Sequence, residues 1–238
     1  MLCNAMRCHG AILSECGILH CDILTNNILV VQPESGRVRG MLIDFNCAVD
    51  MEVSEGEAQT EMMGTPPFMS MLNLEDSSVK RTALDDWESL LYMICWLSTY
   101  GINEHTRRKE ANSKLKKLKI RGWHYGAFDE IASDKRNHLN TRQAFETNIL
   151  ASFNPALKHR RLLARLASKL RWTLVEREEL DCKGSLKRPE EDESSSDLEL
   201  YGSSDDDSGG GNKDRIDPFE WRIEHCERIS AELLGVLE

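Results

Sequence analysis

Gly17-Ile18-Leu19-His20-Cys21-Asp22-Ile23-Leu24-Thr25-Asn26-Asn27-Ile28-Leu29-Val30-Val31 is the stretch around which the chain is organised. An apolar run leads to His20, one residue is skipped, and Asp22 follows. Asn27 comes five residues after Asp22, and a run rich in β-branched residues closes the stretch. A second apolar run ends in Leu42-Ile43-Asp44-Phe45-Asn46. An Asp on a tight loop with an Asn one turn later puts two oxygen-bearing side chains on one rim. A second Asp at the end of the next strand adds a third.

This wording resembles the H-R-D-x-x-x-x-N loop and the D-F-G turn of protein kinases. Closer still is the fungal-type protein kinase family, which it resembles in "GILHCDI..NNILV", "MLIDFNCAVD", "GTPPFM" and "DDWESLLYMICW", in that family's order. Phosphoryl transfer needs a carboxylate to orient the attacking hydroxyl and oxygen ligands to hold Mg²⁺ against the phosphates. The resemblance therefore implies Asp22 as the base, Asn27 as a Mg²⁺ ligand and Asp44 as the principal Mg²⁺ ligand, with ATP as the nucleotide. It places His20 in the catalytic loop, packed behind Phe45. Gly64 and Thr65 open the segment that receives the substrate backbone, and Asp86 accepts hydrogen bonds from the catalytic-loop backbone. Asp85 reads as a plain helix cap.

The chain has 238 residues, 40% of them hydrophobic, enough for one large domain with tails. A net charge of −10 does not suit a dedicated nucleic-acid binder. No apolar run approaches the ~20 residues that span a bilayer, and Met1 to Gly10 carries no secretory signal. The eight cysteines include no Cys-x-x-Cys pair, and several lie in apolar contexts. That suits reduced thiols in the cytoplasm or nucleus.

In chain order, residues 3–16 predict a helix stopped by Gly17. Residues 28–31 and 40–43 predict strands around the turn chemistry of Pro33 to Gly36. Residues 47–63 form an acidic activation segment by the same resemblance, read as a solvated loop. Asp85 to Leu97 opens a helix that is apolar nearly all round and has to be buried. The basic cluster of residues 104–121 reads as one solvated helix face rather than a nucleic-acid patch. Leu162, Leu163, Leu166 and Leu170 form a core stripe within a helical stretch, residues 143–177. From Glu190 to Asp207 there are nine acidic residues, no basic ones and many serines, a composition expected to be disordered and open to phosphorylation. Residues 216–238 predict a closing amphipathic helix.

The expected fold is mainly α with a small β-hairpin. It is a kinase-like large lobe over residues 1–180 without an N-terminal small lobe, then a disordered acidic linker at 183–215 and the helix at 216–238. The resemblance implies a Ser/Thr kinase acting on a protein hydroxyl, in truncated form. The alternative is an inactive pseudokinase or scaffold, with a partner covering the apolar surface that a small lobe would hide; no membrane or nucleic-acid partner is expected. Cys21 stands where kinases carry Arg, so a phosphorylated activation loop would not be read at that position. Leu24 removes a polar contact to the transferred phosphate, and Asn46 replaces the last Gly of D-F-G. Leu72 stands near the Glu of the A-P-E salt bridge, so the substrate segment is expected to be held less firmly.

Overall fold

The computed structural model describes residues 2–32, 39–51, 64–100 and 118–176. The turn at 33–36, most of the acidic segment at 47–63, most of the basic cluster at 104–121, the linker at 183–215 and the helix at 216–238 lie outside the described residues. Helix α1 (Leu2–Cys16) ends where Gly17 takes φ +67, a conformation open to glycine at little cost. It buries Ala5, Met6 and His9, which share one face at helical spacing. Strand β1 (Ile18–Leu19) follows and pairs antiparallel with β4 (Val49–Asp50), in the register Ile18 to Asp50 and Leu19 to Val49. Strands β2 (Ile28–Val31) and β3 (Arg39–Leu42) pair antiparallel, Ile28 facing Leu42 and Leu29 facing Met41. The described residues are thus mainly helical with small antiparallel pairings, the β1–β4 pair being one more than the expected hairpin.

The alternation of the hairpin decides its two faces. Ile28 and Leu42 point into the core, where α1 packs on β3. Their neighbours Leu29 and Met41 are each 49% exposed, and Val30 is 53% exposed. Leu29 and Met41, paired across the hairpin, share its outer face, whereas Val30, one residue on, projects from the other.

Helix α3 (Ala83–Tyr100) is the centre of the domain, with 15 of its 18 residues buried. Its start is closed by Asp85, whose Oδ2 accepts both the Thr82 backbone N–H at 2.7 Å and the Thr82 hydroxyl at 3.0 Å. Short helix α2 (Met71–Glu75), capped by Ser70, packs on α4 (Phe128–Leu139). Helix α5 (Arg142–Asn148) adjoins α4, and α6 (Arg160–Arg171) lies on α3. The stretch expected to be helical over 143–177 is interrupted between α5 and α6 by a short 3-10 turn at Leu150–Ser152 and a Pro155 loop. Proline has no N–H to continue a helix and disfavours helical backbone in the residue before it. Arg171 is buried, its guanidinium donating to Leu139 O at 2.7 Å, which ties α6 back to α4.

Candidate active site

Asp86 sits in the first turn of α3, 2% exposed, and its carboxylate is the anchor of the loop after β1. Its Oδ2 accepts the N–H of His20 at 3.2 Å, and its Oδ1 accepts the N–H of Cys21 at 3.0 Å. His9, from α1, adds its Nε2 to Oδ2 at 2.7 Å. A buried carboxylate needs such donors, because an unpaired one would cost several kcal/mol. The result is to fix a backbone turn that is unfavourable on its own: Cys21 has φ +62, a left-handed conformation that a side chain rarely adopts. Arg81 completes the grip by donating to Cys21 O at 3.2 Å. Burial, with the Asp86 charge added, pushes the Cys21 thiol well above its ordinary range, so it is a packing group rather than a nucleophile.

The His20 ring links this loop to the next strand. Its Nε2 donates to Ile43 O at 3.0 Å, which puts the ring proton on that nitrogen, and its Nδ1 accepts the Asp22 N–H at 3.3 Å. The ring also packs on Phe45, centroids 4.7 Å apart. Asp22 is half-buried and both its carboxylate oxygens are positioned. Oδ2 accepts from Asn27 Nδ2 at 2.9 Å, and Oδ1 accepts the Thr65 N–H at 3.0 Å. Asn27 Nδ2 also donates to Asp22 O at 2.9 Å. With its amide nitrogen committed to Asp22, Asn27 has its Oδ1 left as an oxygen donor with no hydrogen bond among the described residues.

Asp44 is exposed at the end of the β3 strand segment, with φ +64 and an Oδ1 that accepts the Asn46 N–H at 3.4 Å. Aspartate tolerates this backbone region better than most residues. A solvent-facing carboxylate and a carboxamide oxygen are the hard donors that Mg²⁺ takes when phosphates and water complete its shell, so these residues fit that ion. Among the described residues no group of three or more His, Cys, Asp or Glu side chains forms a metal cage.

The segment Gly64 to Met71 is held from two sides by buried charges of opposite sign. Lys135 of α4, 0% exposed, donates its Nζ to Met69 O at 2.6 Å and to Pro66 O at 3.3 Å. Glu88 of α3, 0% exposed, accepts the Met71 N–H at 2.8 Å and the Tyr92 hydroxyl. The Tyr92 ring in turn lies under Lys135 Nζ, 3.9 Å from its centroid. Burial pushes the Lys135 ammonium down to about 7, opposed by the Glu88 charge. Leu72 supplies no ion pair, yet the segment is firmly gripped, because the cation arrives from α4 and the anion from α3. Gly64 has φ +110, and a Cβ there would stand 3.0 Å from Cys21 O, so glycine is required where this segment passes the loop.

Every residue singled out from the sequence for this site is described, and His20, Asp22, Asn27, Thr65 and Asp86 join one hydrogen-bonded network. Phe45 adjoins it through the His20 ring, whereas Asp44 reaches it only through the chain. His9, Arg81, Glu88 and Lys135 were not read as site residues. For His9 and Glu88 a signal existed: each is a polar residue on an otherwise apolar helix face.

Residues 1–98 match the model of a family described as Fungal protein kinase. Over that stretch, less than half of its length, the chain is similar to that family. The match takes in the His20 to Asn27 loop, Asp44, the Gly64 segment and the first part of α3. Lys135 and α4 lie beyond it. No curated protein and no solved structure matches the chain.

Proposed function

We propose that the chain carries the phosphoryl-transfer site of a Ser/Thr protein kinase of the fungal type, with ATP and Mg²⁺ as cofactors and a protein hydroxyl as acceptor. One observation supports this above the others: a single carboxylate, Asp22, is held between the carboxamide of Asn27 and the backbone N–H of Thr65. A base fixed in this way faces both the candidate metal ligand and the candidate substrate segment.

In this reading Asp44 and Asn27 Oδ1 hold the metal. Mg²⁺ when bound neutralises charge on the phosphates. Asp22 orients the attacking hydroxyl and takes its proton on a carboxylate oxygen. Asp86 and His9 keep the loop in the shape that aims Asp22. Lys135 and Glu88 hold the segment over which the acceptor chain lies.

The first test is thermal unfolding of the full chain with and without Mg·ATP, beside Asp44→Ala. Ligand at ~100 times its dissociation constant adds about 2.7 kcal/mol, a shift of several degrees for a domain of this size. The expected result is a Mg²⁺-dependent shift lost in Asp44→Ala, and transfer to a protein acceptor lost in Asp22→Asn. Equal phosphorylation by wild type and Asp22→Asn would overturn the assignment. A second reading is a binding or scaffold module without transfer. The exposed apolar pair of Leu29 and Met41 on one face of the hairpin favours it, since a protein partner would cover that pair.

A further inference from the structure

We propose that the outer face of α6 is the docking surface for the acidic segment 190–207 of the same chain. Four cations line that face. Lys158 precedes the helix, and Arg161, Arg165 and Lys169 recur at intervals of four along it, all exposed. Residues three and four apart share a helix face, so the side chains form one stripe about 17 Å long. Between Asn154 and Val175 the sequence holds no Asp or Glu. Among the described residues none of the four cations has a carboxylate partner. The opposite face of α6 is spent on the core through Ala167, Leu170 and the inward-turned Arg171. The stripe therefore has no structural work inside the domain.

Its N-terminal end is shaped as well as charged. A shallow cavity of ≈ 520 Å³ is lined there by Pro155, Lys158, His159, Arg161 and Leu162, among others. Leu162, expected in the core stripe with Leu170, is instead 63% exposed, an apolar spot set among cations. The segment 190–207 has the matching pattern: nine acidic residues and no basic ones, with Leu198, Leu200 and Tyr201 in their midst.

Tethering makes the pairing geometrically undemanding. The fourteen residues from Glu176 to Glu190 span up to about 45–50 Å when extended, and about 21 Å even if wound into a helix. The twelve residues of α6 are about 18 Å long, so the acidic run reaches the whole stripe in either case. A segment tethered at this range acts at millimolar effective concentration and outcompetes untethered polyanions for the same cations. The attraction between exposed charges is screened over about 10 Å at 0.1 M salt, which makes the contact salt-sensitive.

The test uses the full chain throughout. A carbodiimide joins a lysine amine to a carboxylate as an amide, the carboxylate's lost oxygen leaving in the urea by-product, and mass spectrometry maps the links. In the monomer fraction, Lys158 and Lys169 are expected to link to carboxylates within 190–207. Yields are expected to fall at least about fivefold between 50 and 500 mM NaCl. They are expected to fall similarly in R161E/R165E, whose exposed positions leave the fold intact. Neutralising all nine acids of the run (E190Q/E191Q/D192N/E193Q/D197N/E199Q/D205N/D206N/D207N) is expected to raise affinity for a 20-base-pair DNA duplex several-fold, because the stripe is uncovered. Tail links to Lys109 to Lys117 instead of α6 would overturn the assignment. So would links confined to a dimer, which would assign the surface to a second copy. Salt-independent yields, or equal duplex binding by wild type and the neutralised chain, would overturn it too.

Discussion

Replacing Lys135 by Met tests whether the buried ammonium holds the substrate segment. Met preserves most of the side-chain volume, so the loss is polar rather than a cavity. Two carbonyls, Met69 O and Pro66 O, lose their donor in a buried place, and each such orphan costs about 1–3 kcal/mol. The cation–π contact with Tyr92 goes as well. Against this, Met removes the desolvation of a buried cation, which is the main cause of the lowered Lys135 pKa. The expected net loss at pH 7 is about 2–4 kcal/mol, or about 4–16 °C in Tm for a domain of this size. Near-ultraviolet circular dichroism reads it directly, since Trp87 and Trp123 lie in the core.

The pH dependence separates this account from a simple packing defect. The folded-state pKa of Lys135 is depressed from 10.5 to about 7. Between those values the unfolded chain binds more protons than the folded one, so wild-type stability gains with rising pH across that window. Below about 7 both states are protonated and the cost of burying the charge is fully present. K135M lacks the titration, so its deficit relative to wild type widens from pH 7 towards 10. A neutral amine keeps two N–H groups, enough for both carbonyls, which is why the grip survives deprotonation. A loss under about 1 kcal/mol, or a deficit that narrows as pH rises, would refute the reasoning.

Three further outcomes are expected. Asp86→Ala leaves the His20 and Cys21 amides without an acceptor, costs about 2–5 kcal/mol, and removes transfer beyond what the stability loss explains, read as kcat on the folded fraction. Gly64→Ala meets both a positive φ and Cys21 O at 3.0 Å, so urea unfolding should show a loss of about 1–3 kcal/mol, with a weaker hold of Thr65 on Asp22. Leu29→Glu with Met41→Lys, directly opposite each other on the exposed hairpin face, is expected to leave stability within about 0.5 kcal/mol per site while reducing the binding of a hydrophobic dye.

The elements legible in the sequence are those whose information is contiguous. The helix before Gly17, the two hairpin strands and the buried helix from Asp85 each announce themselves by periodicity and a stop signal within a dozen residues. The same holds for the geometry around Asp22 and Asn27, because five residues of spacing on one tight loop leave few ways to arrange them. The hold of Asp86 on the His20 and Cys21 amides, 66 and 65 residues away, was legible only through the family resemblance, and the other contacts with partners far along the chain escaped. His9 meets Asp86 across 77 residues and Lys135 meets Met69 across 66. Neither pairing has a local signature, since a histidine on an apolar helix face or a lysine in a mixed helix fits many environments. The Leu72 position shows the consequence. A missing local acid reads as a loosely held segment, but the fold needs only that the backbone's N–H and C=O groups find charges of the right sign. It supplies them from two other helices, Glu88 for the Met71 N–H and Lys135 for the Met69 carbonyl. Loss of one familiar ion pair is therefore weak grounds for inferring a loose segment: the constraint is electrostatic satisfaction of that backbone, and the sequence positions that provide it are free to move.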